Sequence, residues 1–194
     1  MSSPHSEFDS LTGLYNSRSL EREVRRLIER ERSKPAGFAL LLLDIDRFKA
    51  VNDQYGHCIG DDVLRAVADL LRKWTTDGGL ACRWAGGEFA LLLPNCAPHD
   101  ACALAESLQS DIGVAELGPA RIKVSVSFGV ACYPKDASDF DHLMYHADMA
   151  LHRQKRSGGD GPSSAGAMAM LRPRRPVLTD AVSKRKLPDP DDVA

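Results

Sequence analysis

The stretch Phe38-Ala39-Leu40-Leu41-Leu42-Leu43-Asp44-Ile45-Asp46-Arg47-Phe48-Lys49-Ala50-Val51-Asn52-Asp53 decides how the rest of the chain is read. Its first six residues are apolar, too few to span a bilayer, and read as a strand buried on both faces. Such a strand belongs in the middle of a sheet covered by helices. It stops on an acid, and a second acid follows two residues later. Alternate side chains of a strand share a face, so Asp44 and Asp46 start out pointing the same way. A carboxylate at the end of a buried strand is costly without a positive partner. A divalent metal is one answer, since hard oxygen ligands suit Mg²⁺; capping of the next helix is the other.

Upstream of this strand, residues 8–18 are turn-rich, with Gly13 and Asn16 as breaks. A charged helix is expected over about 19–33, with Leu20, Val24, Leu27 and Ile28 on one stripe; Pro35 and Gly37 end it. Downstream, residues 54–61 read as a loop. A helix over about 61–74 then sets Val63, Leu64, Val67, Leu70 and Leu71 at core spacing. Short strands at 80–84 and 89–93 flank Ala85-Gly86-Gly87-Glu88, which reads as a hairpin turn. Pro98 opens a third helix to about residue 112. Residues 121–131 alternate as a strand pair or one long strand, with Gly129 near the end, and a last helix covers about 139–156.

Beyond residue 157 the chain turns to Gly, Ser, Ala and Pro, then two basic clusters and an acidic end, and cannot bury enough apolar surface to fold alone. The expected organisation is a disordered start at 1–7, one domain over 8–158, and a disordered tail over 159–194. The 194 residues suffice for one domain with a full core. With 43% apolar residues, 27% charged and a formal net charge of −2, composition gives no electrostatic case for nucleic acid or a membrane surface as partner. Five scattered cysteines, none in a CxxC pair, suit a reducing cytosol. With neither a signal peptide nor a spanning run in view, a cytoplasmic location is expected.

The element order gives an α/β fold, a mixed central sheet flanked by helices with a β-α-β-β-α-β core. That arrangement brings the end of the Asp44 strand near the Gly86-Gly87 turn. Carboxylates beside a glycine-rich turn suit a metal-bound triphosphate, because the metal offsets phosphate charge and glycine permits close backbone approach. Lys49 is placed to stabilise charge in phosphoryl transfer, and Lys155 to offer a second phosphate cation. Asn52 and Asp61 are able to read a base edge. Singly, each has a plainer role: Lys155 as a solvated helix-end lysine, Asn52 as a turn residue, Asp61 as a helix cap.

Together these residues resemble the GGDEF domains of bacterial diguanylate cyclases. Asp9-Ser10-Leu11-Thr12-Gly13-Leu14-Tyr15-Asn16 is similar to the opening DxLTGLxN, and residues 44–53 to DxDxFKxxND. Gly56-His57 and Gly60-Asp61 match GHxxGD, while Tyr145 to Leu151 with Lys155 resemble the closing YxADxALYxAK. The resemblance implies a palm-like fold shared with nucleotidyl cyclases and polymerases. It implies joining of two GTP molecules into cyclic di-GMP across an antiparallel dimer. Carried over, Asp44 and the Ile45 carbonyl would hold Mg²⁺ and Lys49 would stabilise the transition state. Asn52, His57 and Asp61 would contact the guanosine, and Lys155 the phosphates.

The signature turn departs from the family. With Arg83 and Phe89 fixing the alignment, Ala85-Gly86-Gly87-Glu88-Phe89 stands where the family has GGDEF or GGEEF, so Gly87 replaces the acid that ligates metal and helps activate the attacking hydroxyl. Glu88 is retained, and a one-residue slip of the hairpin would swing it inward. Gly159 stands where the family has a phosphate-gripping arginine, and the inhibitory RxxD motif finds only Thr76-Asp77-Gly78-Gly79. The expectation is a cyclic di-GMP signalling domain that binds guanine nucleotide at a weakened Mg²⁺ site, is catalytically impaired, and works as a regulatory module through a homodimer or a partner protein. The alternatives are an active cyclase with Glu88 standing in for the lost acid, and a nucleotide-free interaction module.

Overall fold

The computed structural model describes residues 6–33, 36–75, 78–156 and 163–164. The first five residues, Thr76, Asp77, Gly159 and nearly all of the expected tail lie outside the described residues. Glu7, placed by sequence in the loose start, is tied down. Its carbonyl accepts hydrogen bonds from Asn16 N and Ser19 Oγ, both at 2.9 Å, and its carboxylate pairs with Arg22.

The apolar stretch forms β2 (Phe38–Ile45), and it is central as its composition demands. The other strands are β1 (Tyr15–Asn16), β3 (Leu80–Ala85), β4 (Glu88–Pro94), β5 (Val126–Tyr133) and β6 (Ser163–Ser164), in the spatial order β1-β3-β4-β2-β5-β6. β2 pairs antiparallel with both β4 and β5, while the two-residue edges β1 and β6 pair parallel, so the sheet is mixed. Successive residues of β2 serve opposite faces. Leu41, Leu43 and Ile45 pack with α3 (His57–Trp74) and α4 (Pro98–Val114), whereas Leu40 and Leu42 pack with α1 (Ser17–Ser33) and α5 (Phe140–Arg156).

Two sequence expectations change. Residues 54–61 are not a loop: α2 (Phe48–Tyr55) runs into α3 with only Gly56 between them, at φ 83°. A left-handed φ of that size is a conformation glycine adopts without strain. The strand expected over 121–131 lies instead at Val126–Tyr133, since Arg121 takes φ 51° in a small turn closed by the Leu117–Ile122 bridge. Gly129 is therefore central in β5. A Cβ there would lie 2.0 Å from Ala147 O and 2.5 Å from Leu151 N, so α5 rests directly on the strand backbone. This contact sets where the C-terminal end of α5 reaches the sheet.

Candidate functional site

The site begins where β2 ends. In the strand register Asp44 stands opposite Glu88 of β4 on one side and Ser127 of β5 on the other. Glu88 thus faces Asp44 without any slip of the hairpin, and the irregularity lies on the other strand, between Arg83 and Ala85. The turn is held from outside. Arg83 donates from Nε and Nη2 to Gly86 O, at 3.2 and 3.0 Å, and from Nη1 to Asp9 at 3.3 Å. Burial would raise the pKa of Asp9, but the Thr12 hydroxyl and N–H with the Arg83 charge outweigh it and hold the carboxyl below its ordinary value.

Charge at the strand end is satisfied internally. Lys155, from the last turn of α5, places Nζ 2.9 Å from Asp44 Oδ2; Asp44 is half-buried and Lys155 exposed. Glu88 stands directly across the strand pair from Asp44. Burial first, then the Asp44 charge, push the Glu88 carboxyl above its usual pKa, while Lys155 opposes them and Asp148 adds to the rise. Asp46 does not join this group. Its carboxylate accepts hydrogen bonds from Ser125 Oγ at 2.7 Å and Ser127 Oγ at 2.8 Å, which fixes the entry to β5. In this structure Asp44 pairs with a lysine and Asp46 with two serine hydroxyls, and no side chain caps α2. The residue preceding α2 is Arg47, in the left-handed region, with no capping side chain.

Gly87 lies on the opposite side of the turn from Glu88. A Cβ at Gly87 would stand 3.0–3.1 Å from Cδ1, Cγ and Cβ of Phe48. The space an acid would need is therefore tight, and Phe48 would have to give by a few tenths of an ångström. Among the described residues no three His, Cys, Asp or Glu side chains gather closely enough to hold a metal. The oxygen donors at the strand end are Asp44, paired with Lys155; Glu88, across the strand pair from it; and the Ile45 carbonyl. Mg²⁺ at a nucleotide site takes one or two carboxylates with phosphate oxygens and waters, and Asp44, Glu88 and the Ile45 carbonyl are the groups here that would hold it.

The second rim is formed by α2 and α3. Lys49 is exposed in the first turn of α2, and Asn52, one turn on, is half-buried. His57 opens α3 and is exposed, while Asp61 is half-buried in its second turn. The two helices meet at Gly60, where a Cβ would fall 1.9 Å from Asn52 Oδ1. Glycine at this position is what lets the Asn52 amide lie against α3 beside Asp61. A groove of about 310 Å³ opens on the Glu88 side, lined by Trp84, Met144, Tyr145 and Asp148 among others. Asp148 was missed as a neighbour of the acids, although it lies in the closing motif seven residues before Lys155.

Comparison with known proteins agrees with this geometry. The family model described as "Diguanylate cyclase, GGDEF domain" matches residues 6–161. The chain is 37% identical over 156 residues to the diguanylate cyclase VdcA of Vibrio cholerae, covering 78% of this chain and 44% of that protein. It is 36% identical over 154 residues to the bifunctional diguanylate cyclase/cyclic di-GMP phosphodiesterase MucR of Pseudomonas aeruginosa, covering 79% of this chain and 22% of that protein. The chain thus spans less than half the length of these curated relatives. The GGDEF domain of DgcB from Caulobacter crescentus, solved in complex with c-di-GMP, superposes with a TM-score of 0.77 at 28% identity, over 86% of this chain and all of that one.

Proposed function

This chain belongs to the diguanylate cyclase GGDEF-domain family, a family of cyclic di-GMP signalling, and on that premise we propose that it binds a guanine nucleotide without efficient turnover and acts as a regulatory module. The observation that carries this reading is the contrast between the two rims. Asn52 and Asp61 are half-exposed and make no side-chain hydrogen bond or ion pair with other described residues, so their polar groups are open to a base edge. At the strand end Asp44 is paired with Lys155, and the third signature position is Gly87.

The chemistry follows from those groups. Asp61 accepts from guanine N–H donors, Asn52 offers both a donor and an acceptor, and His57 lies at the edge of the same rim. Lys49 and Lys155 supply positive charge for the phosphates. Without a side chain at Gly87, nothing at that position holds a metal or draws the proton from an attacking hydroxyl, and the Mg²⁺ site is weakened. A cyclising reaction also needs a second nucleotide presented by another copy, so a signalling output through a homodimer or partner protein does not require turnover. The position of Glu88 directly across from Asp44 favours a second reading, an active cyclase in which Glu88 stands in for the lost acid; the rise in its carboxyl pKa, from burial and then the Asp44 charge, argues against it.

The test is titration of the protein with GDP, beside Asn52→Ala and Asp61→Ala. Each variant should weaken binding by about tenfold or more, the loss of a hydrogen bond to a polar ligand that leaves its partner unsatisfied. Equal affinity in all three proteins would show that this rim does not read the base.

A further inference from the structure

We infer that the groove between α5 and strands β3 and β4 is the docking site for residues 171–178 of this chain, a basic, proline-containing segment taken up in extended form. That segment reads Leu171-Arg172-Pro173-Arg174-Arg175-Pro176-Val177-Leu178 and lies outside the described residues. The inference is independent of nucleotide binding.

The groove, of about 310 Å³, combines aromatic and acidic walls: Trp84 of β3 with Met144 and Tyr145 of α5, beside Glu88, Asp141 and Asp148. Among the described residues that line it there is no lysine or arginine. Tyr145 is 58% exposed, and Met149, one turn further on, is exposed too, so apolar surface continues along α5. Asp148 makes no hydrogen bond or ion pair with another described residue. Asp141 meets Arg25 only at 3.6 Å, and that guanidinium is held by Glu21 at 2.9 Å. The other cation nearby, Lys155, is engaged by Asp44. Extended proline-containing segments dock on aromatic-lined grooves, and free carboxylates beside the aromatics select one that carries arginines.

Spacing and reach both agree with this occupant. Asp141 and Asp148 lie two helical turns apart on α5, about 10.5 Å along its axis. In a polyproline helix residues three apart share an edge and are separated by about 9 Å. Arg172 and Arg175 on one edge therefore meet Asp141 and Asp148, while Pro173 and Pro176 on the next lie against Trp84 and Tyr145. Ser163 of β6 pairs with Gly129 of β5, which pairs in turn with Leu42 of β2, a residue lining the groove. Two strand spacings, about 10 Å, thus separate Ser163 from Leu42. From Ser164 to Arg172 the chain extends up to about 26 Å. That is enough to pass around α5, a helix about 10–12 Å across.

The test is nitrogen-15 relaxation on the full chain, which reads backbone order at Arg172, Arg174, Arg175 and Val177. Their order parameters should exceed about 0.6 in wild type. They should fall below that value when Asp141→Arg and Asp148→Arg are made together. The paired change Arg172→Glu with Arg175→Glu should do the same, and it leaves every residue of the groove untouched. Combining all four changes exchanges the charges and should restore the order that either pair abolishes. Values below about 0.6 in wild type, order that survives either reversal, or no recovery in the combined variant overturns the inference. Order that disappears on dilution assigns the docked segment to a second copy and overturns docking within one chain.

Discussion

The α2–α3 junction and the end of β2 beside β4 treat their polar groups in opposite ways. On the first, Asn52 and Asp61 are held by close helix packing at Gly60 and left open. On the second, Asp44 is paired with Lys155 and Asp46 with Ser125 and Ser127. A surface organised to receive a ligand keeps its donors and acceptors unspent, and one closed on itself loses that capacity. The difference separates a region whose polar side chains are open, for which base recognition is proposed, from a strand end whose Asp44 is paired with a lysine.

The strongest way to break the contrast is to unseat α5. In Gly129→Ala the new Cβ meets main-chain atoms of Ala147 and Leu151 that have no rotamer by which to escape. The expected cost is about 3 kcal/mol, read by urea denaturation, and Lys155 should part from Asp44. Unchanged stability would mean that α5 shifts freely and that the Lys155–Asp44 pair is not built into the packing.

A sharper and smaller probe addresses the other rim. Gly60→Ala improves helix propensity by up to about 1 kcal/mol, so the fold should be retained. The added methyl occupies the place of the Asn52 amide, which must turn away. GDP affinity should fall by about tenfold, a cost comparable to one lost hydrogen bond, while the melting temperature holds or rises. Wild-type affinity in this variant would remove Asn52 from the binding rim.

The smallest effect concerns how the hairpin is held. Asp9→Asn should destabilise the domain at neutral pH by about 1 kcal/mol through the weakened Thr12 and Arg83 contacts. Because the folded-state pKa of Asp9 lies below its unfolded value, its contribution is present above the unfolded pKa and fades as pH falls through the folded one. The gap between wild type and Asp9→Asn in thermal melts should therefore close in acid. A gap independent of pH would assign the effect to shape rather than charge.

Much of this architecture is legible in the linear chain. Leu40 to Leu43 require a doubly covered strand, and the apolar stripe of Leu20, Val24, Leu27 and Ile28 finds its face of the sheet as spacing implies. Motif order groups Asn52, Asp61 and Lys155 as one expected site. The short helix α2 was hidden because none of its residues is fully buried and its composition is that of a loop. The fate of Asp46 was hidden for a different reason. Alternation puts it on the face of Asp44, but its partners Ser125 and Ser127 come from a strand about eighty residues away in sequence. Long-range pairing also decides Glu88, whose position beside Asp44 follows from the turn and register rather than from a slip of the hairpin.

The most direct measurement is to incubate the purified protein with GTP and Mg²⁺ beside an intact diguanylate cyclase, then separate the nucleotides by chromatography. GTP recovered unchanged from a sample in which calorimetry shows it bound is the expected result. Cyclic di-GMP formed at a rate comparable to that of the intact enzyme would contradict an impaired strand-end rim, however well the other rim holds guanine.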